Sequence, residues 1–107
     1  MNDDDKIEQL EEQKAELERF LSDPFVLKNV EKVKEYSVAH ARLEKEIFHL
    51  HLIRELDRRV EEARHLGEAA RDEEMKRMAE EEIRRLLDQR KEALKEKEKE
   101  VAEIVKK

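Results

Sequence analysis

The sequence predicts an all-α protein: a long antiparallel helical hairpin, coiled-coil-like, with a shorter N-terminal third helix packed against it. Glycine and proline occur once each in 107 residues, whereas β architectures need turn residues every few positions. Half of the residues are charged, in the Glu-, Lys-, Arg- and Leu-rich balance typical of long helices. The apolar residues recur at helical spacing, which argues against disorder. At this length we expect a single domain, residues 1–107.

The first predicted helix runs from about residue 4 to residue 21. Aspartates at its start suit the positive end of the helix dipole. Its apolar positions keep a three-four spacing, with Lys14 as the one polar member of the seam. The apolar members are Ile7, Leu10, Leu17 and Leu21. The stripe predicts that one face of this helix packs against another helix.

The segment Ser22-Asp23-Pro24 interrupts that helix, because proline disfavours helix in the residue before it and has no N–H to donate. We expect Asp23 to cap a short turn that has Pro24 at its first position. The apolar residues 25–27 are predicted to tuck into the base of the helices. Asn29 is a predicted N-cap for the next helix.

The second predicted helix runs from about residue 30 to residue 66, roughly 55 Å at 1.5 Å per residue. Gly67 is predicted to end it as a C′ residue with left-handed backbone. The seam positions are Val33, Tyr36, His40, Leu43, Ile47, Leu50, Ile53, Leu56, Val60 and Ala63. Over residues 47–56 apolar side chains point to nearly every side, so more than one neighbour must cover this stretch. Burial within the chain is one interpretation; the other is a partner or dimer contact through Phe48, Leu52 and Ile53.

The third predicted helix runs from about residue 73 to residue 105, with Asp72 as its N-cap. A short connection makes it the antiparallel neighbour of the second helix. Predicted i,i+4 ion pairs are Glu73–Arg77, Glu80–Arg84 and Glu81–Arg85. The predicted heptad seam consists of Ile83, Leu87, Leu94, Val101 and Ile104, with Arg90 and Lys97 at its other positions.

No pattern in the sequence indicates a catalytic site. Cysteine is absent, and neither a glycine-rich phosphate loop nor a nucleophile elbow occurs. Glu46–His49 and Glu62–His65 have the Glu-x-x-His spacing of di-iron bundles. They lie about 24 Å apart along one helix, so they cannot share a metal within a chain. We therefore expect no enzymatic activity, no cofactor and no metal. His40 is predicted to lie in the seam, and His49 and His51 are predicted to face solvent or to line a helix contact.

The charge is concentrated at the N-terminus. Residues 1–21 hold eight acids and three bases, a net charge of −5, which leaves −1 of the total −6 for the other 86 residues. A solvated helix face is one interpretation. The other is an acidic docking surface for a basic partner, formed by Glu8, Glu11, Glu12 and Glu18.

Nucleic acid and membrane are not expected partners. The basic doublets Arg58-Arg59, Arg84-Arg85 and Arg90-Lys91 are each flanked by acids, so we expect no independent nucleic-acid binding. No apolar run approaches the roughly 20 residues needed to span a bilayer, and no signal segment is visible. The expected location is cytoplasmic.

Two stretches of the chain carry motifs of a known family. Residues 72–83 read D-x-E-M-x-x-M-A-E-E-E-I. Residues 21–27 read L-S-D-P-F-V-L, and Glu35-Tyr36-Ser37 and Arg42-Leu43-Glu44 follow them. These residues resemble the pattern L-S-D-P-x-V, E-L-S and Y-A-x-L-E of the N-terminal helical (PCRF) domain of bacterial class I peptide-chain release factors, without gaps from Leu21 to Leu43. The family commonly has proline where this chain has Val30 and Glu73. The chain contains no Gly-Gly-Gln, so no catalytic or codon-reading residue can be carried over.

In that family, this domain reaches toward the stalk base of the large ribosomal subunit and communicates with the class II release GTPase. The resemblance therefore implies a non-catalytic domain of translation termination, whose partner is the ribosome or a translation factor. Such a chain is either a stand-alone truncated relative or an excised fragment. The alternative is a structural coiled-coil or oligomerisation protein, such as a homodimer, with a compositional likeness alone.

Overall fold

The computed structural model describes the backbone of residues 3–106 and the side chains of residues 4–99. Within these limits the chain is all-α, with four helices and no strand, which confirms the predicted fold class. The helices are α1 (Asp3–Leu21), α2 (Pro24–Leu27), α3 (Val30–Ala69) and α4 (Glu73–Lys106). The chain forms two compact units, one up to Leu50 and one from His51, so α3 contributes to both. No described helix is long and apolar enough to cross a membrane.

Three short side chains define where α2, α3 and α4 begin. Asp23, Asn29 and Asp72 each accept a hydrogen bond from a backbone N–H two or three residues further on, at 2.9, 3.2 and 2.8 Å. The first N–H groups of a helix have no partner within it, so each cap satisfies a donor that would otherwise need water. These contacts confirm the three predicted N-caps.

In the first unit, α1 packs antiparallel against the first part of α3. The start of α1 meets the far end of this part of α3, where Ile7, Leu10, Ile47 and Leu50 form a buried cluster with Leu43 packed against it. Near the end of α1, Phe20 and Tyr36 stack with ring centroids 5.3 Å apart. The predicted seam of the first helix is therefore the face that this unit buries.

The residues of α2 do not tuck into the base of the helices as predicted. Phe25 is 82% exposed and Leu27 is 52% exposed, while Val26 is half-buried. A helix of four residues is barely one turn, so it cannot direct three consecutive side chains to one side. The Lys28 ammonium lies 5.6 Å from the centre of the Phe25 ring and covers part of it.

In the second unit, the rest of α3 packs against α4 through a seam that differs from the predicted heptad. Leu86 is 1% exposed and lies with Leu56 and Val60, whereas the predicted seam residue Leu87 is 48% exposed. Ile83 packs against this cluster, and Ala93 is buried one heptad after Leu86 while Leu94 is half-buried. Steps of three and of four residues both fit a helical seam, so Ile83 alone could not decide between the two leucines. The predicted seam residues Val101 and Ile104 lie outside the described side chains.

Gly67 does not end α3 in a left-handed conformation. The helix continues to Ala69, and no described glycine has a positive φ. A Cβ built at Gly67 would lie 3.1 Å from the Cβ of Ala79, closer than the ordinary carbon–carbon contact of about 3.5–4.0 Å. The absence of a side chain therefore allows α3 and α4 to approach closely beside their connecting loop.

The pair Leu86 and Leu87 offers a direct test of the seam. Leu86→Ala should lower the free energy of unfolding by about 2–5 kcal/mol, because it leaves a cavity in the buried cluster. Leu87→Ala is the matched control and should cost less than about 1 kcal/mol, since its side chain is half exposed. Urea unfolding followed by circular dichroism measures both. Equal losses, or a larger loss at Leu87, would contradict the observed seam.

Candidate docking surfaces

The acidic residues that the sequence singles out on α1 form one exposed strip. Glu8, Glu11, Glu12 and Glu18 are all exposed. At about 100° per residue they cover about 120° of the helix circumference, beside the buried stripe of Ile7 and Leu10. We call these four glutamates the acidic strip.

Glu18 differs from the other members of the acidic strip because it also faces α3. One of its carboxylate oxygens lies 3.7 Å from Nε2 of His40, and a Glu44 oxygen lies 3.6 Å from Nδ1 of the same ring. Lys14 in turn lies 3.9 Å from Glu44. His40 is half-buried in the seam, as the spacing predicts. Glu18 therefore joins the acidic strip to the packing of the first unit.

The three residues predicted as a partner or dimer contact have different environments. Phe48 is 62% exposed. Leu52 is half-buried and packs against the cluster of Leu56, Val60 and Leu86, while Ile53 is also half-buried. Intrachain packing thus accounts for part of the apolar stretch 47–56. A partner contact at these residues stays a prediction, with Phe48 as its most exposed member.

The basic doublets carry acidic partners. Arg58 donates hydrogen bonds to both Glu55 and Glu62, and Arg59 donates to Glu55 at 3.3 Å. The hydrogen bond from Arg58, followed by its charge, lowers the pKa of Glu55 to about 2. These two arginines therefore lie beside carboxylates that compete with any phosphate for their donors.

One residue of each of the other two doublets is also paired with an acid. Arg85 donates to Glu82 at 2.5 Å, one turn before it, and not to the predicted partner Glu81. This hydrogen bond holds the pKa of Glu82 below its usual range. Arg90 donates to Asp57 at 2.6 Å and links α4 to α3. A basic residue in the seam is thus matched by an acid on the facing helix.

The two Glu-x-x-His pairs belong to different units. His49 is buried, whereas His51 and His65 are exposed. Among the described side chains, no three His, Asp or Glu residues come together as metal ligands. His49 therefore lies within a helix contact and His51 faces solvent, which are the two environments that the sequence left open.

The sequence interpretation missed a second surface, which carries the opposite charge. In the first unit, Phe25, Leu27, Val30 and Val38 are 82, 52, 79 and 44% exposed. The Lys28 ammonium lies over Phe25, and Lys34 and Arg42 share one face of α3 with Val30 and Val38, as do the acids Glu31 and Glu35. We call the four apolar and the three basic residues the basic–apolar patch. The available signal was that Val30 and Val38 fall outside the seam spacing of Val33, Tyr36 and His40.

The sequence profile of the PCRF domain matches residues 10–106. The chain belongs to this family. The match confirms the resemblance to the N-terminal domain of peptide chain release factors and relates the chain to translation termination. No curated protein and no solved structure matches it.

Membership of the PCRF-domain family bears on both surfaces. The domain is in general a non-catalytic part of release factors. The matched range includes the whole basic–apolar patch and the acidic-strip residues Glu11, Glu12 and Glu18, while Glu8 precedes it. The two surfaces are therefore the features of this chain to compare with the function of the family.

The ion pair of Glu55 and Arg58 gives a testable dependence on pH. Because the pKa of Glu55 is lower in the folded state, its ionised form stabilises the fold at pH values above the unfolded-state pKa of about 4.3. This contribution is lost as the pH falls through the folded-state pKa of about 2. Arg58→Met should return the pKa of Glu55 toward its ordinary range, as read from its carboxyl carbon in an NMR titration. Arg64→Met is the control, since Arg64 pairs with Glu61. An unchanged Glu55 midpoint in Arg58→Met would contradict the pairing.

Proposed function

We propose that this chain is a non-catalytic docking domain of translation termination, which binds the stalk base of the ribosome or the surface of the release GTPase. The observation that carries the proposal is the family match, which extends over residues 10–106. The absence of Gly-Gly-Gln from the 107 residues agrees with a role in contact and not in peptidyl-tRNA hydrolysis.

The acidic strip supplies the chemistry for such a contact. Residues 1–21 carry a net charge of −5, which is nearly all of the chain's −6. An exposed surface of one sign attracts a partner of the opposite sign and accelerates its association at low ionic strength. Salt weakens this attraction, because the Debye length falls from about 30 Å at 0.01 M to about 8 Å at 0.15 M. The partner surface should therefore be basic, and binding should weaken as salt rises.

Co-sedimentation with ribosomes tests this contact. The chain should sediment with ribosomes at low salt, and the triple substitution Glu8→Lys, Glu11→Lys and Glu12→Lys should weaken binding about tenfold or more, which is about 1.4 kcal/mol. Each substitution adds two positive charges, so the net charge rises from −6 to 0.

The matched control reverses three exposed glutamates of α4, Glu80, Glu81 and Glu98, and produces the same net charge. It should bind as the unmodified chain does. Absence of sedimentation at low salt would contradict the proposed contact with the ribosome. Equal weakening by both triple variants would show that net charge matters and the acidic strip does not.

A further inference from the structure

The basic–apolar patch lies on α2 and the start of α3, in the first unit. Val30, Lys34, Val38 and Arg42 follow one another at four-residue spacing and line one shallow groove on α3, together with Ala39 and the acids Glu31 and Glu35. The residues of α2 lie close by, since Leu27 is three residues from Val30 and the backbone between them spans at most about 10 Å. Val30 and Val38 thus share one face of α3 with charged side chains, and the exposed Phe25 and Leu27 precede this face in the chain.

The packing of the unit does not account for these side chains. The seam of α3 that faces α1 consists of other residues, among them Tyr36, which stacks on Phe20, and Leu43, which packs against the buried cluster. Single exposed apolar residues are ordinary on a protein surface, but a group of them bordered by charges is typical of an interaction site. Valine also has a lower helix propensity than lysine or glutamate, so local helix stability does not favour Val30 and Val38 on an outer face.

The charge of the patch is opposite to that of the chain. Residues 24–42 contain the bases Lys28, Lys32, Lys34 and Arg42 and the acids Glu31 and Glu35, a net charge of +2 in a chain of −6. Lys32 lies 3.8 Å from Glu35 and is thereby partly neutralised. Within the part of the chain that the structure describes, Lys34 and Arg42 form no ion pair, and neither does Glu31. The groove therefore presents two unpaired bases and one unpaired acid, and this excess of positive charge favours an acidic partner.

We propose that the basic–apolar patch binds an acidic amphipathic helix of a partner protein. The apolar face of that helix would lie along Val30 and Val38, and its carboxylates would meet Lys34 and Arg42. A helix laid in a groove through apolar positions at helical spacing is a recurrent mode of recognition. This surface is separate from the acidic strip, so the proposal goes beyond the contact proposed above.

A single-stranded nucleic acid fits the patch less well. Stacking of bases needs open aromatic faces, and three of the four exposed apolar residues are aliphatic. Phe20 and Tyr36 stack on each other, and the Lys28 ammonium lies over the ring of Phe25.

A second copy of the chain is also a poorer occupant than a partner protein. Its own acidic amphipathic helix, α1, buries Ile7 and Leu10 in the first unit, so it would have to leave that unit to present them.

Fluorescence anisotropy with a synthetic helical peptide tests the proposal. The probe carries leucines on one face and glutamates beside them, and a peptide of the same composition in scrambled order is its control. The full chain should bind the amphipathic peptide saturably, more weakly at high salt, and at least about tenfold more tightly than the scrambled peptide. Val30→Glu with Val38→Glu should weaken that binding by a similar factor, because it places carboxylates opposite those of the probe.

Met75→Glu with Met78→Glu is the matched control, since these side chains are 58 and 62% exposed on α4 and the change in charge is the same. It should retain the affinity of the unmodified chain, and circular dichroism should show both variants equally helical. Equal binding of the scrambled peptide, or no binding of either peptide, would overturn the proposal. So would tighter binding of a labelled uridine oligonucleotide, or self-association in sedimentation equilibrium that the Val30 and Val38 variant abolishes.

Discussion

The long helices of this protein pair through short apolar clusters, and the rest of the structure depends on the packing of those clusters. Apolar residues make up 37% of the sequence and charged residues 50%, so the interior is limited to short clusters between paired helices. In the first unit Ile7 and Leu10 meet Ile47 and Leu50. In the second unit Leu86, at 1% exposure, meets Leu56 and Val60. Because hydrophobic burial is the main favourable term in folding, these contacts decide which face of each helix is left for solvent.

Charged groups also take part in the contact between α3 and α4. Arg90 lies at a seam position where an apolar residue would be expected, and its hydrogen bond to Asp57 gives its donor a partner on the facing helix. A polar residue in such a seam favours one alignment of the helices over others, because a shifted alignment separates the pair. Gly67 also contributes to the packing of α3 against α4, because its lack of a side chain allows α3 to come close to Ala79. Both features favour one alignment of α3 and α4.

The sequence predicted the helices and their caps because both depend on local rules. Asp23, Asn29 and Asp72 cap helices because each has a short side chain whose oxygen can accept a hydrogen bond from a backbone N–H two or three residues further on. Whether Leu86 or Leu87 lies in the seam depends on tertiary packing. The sequence does not distinguish the two, because they are adjacent and identical. Gly67 suits a helix end and a close helix contact equally well, and the structure shows the latter. The concentration of acidic residues near the N-terminus predicted the acidic strip. The basic–apolar patch was not predicted, because it depends on Phe25 being exposed, where the sequence predicted burial.

The central claim is that a non-catalytic member of the PCRF-domain family acts through its surfaces in translation termination. Its most direct test is a peptide-release assay on purified ribosomes stalled at a stop codon, with a limiting amount of full-length class I release factor. Added chain should slow release as its concentration rises, because both proteins would compete for the same docking surface, and it should release no peptide alone. Release by the factor that is unchanged at a large excess of the chain, or release by the chain alone, would contradict the claim.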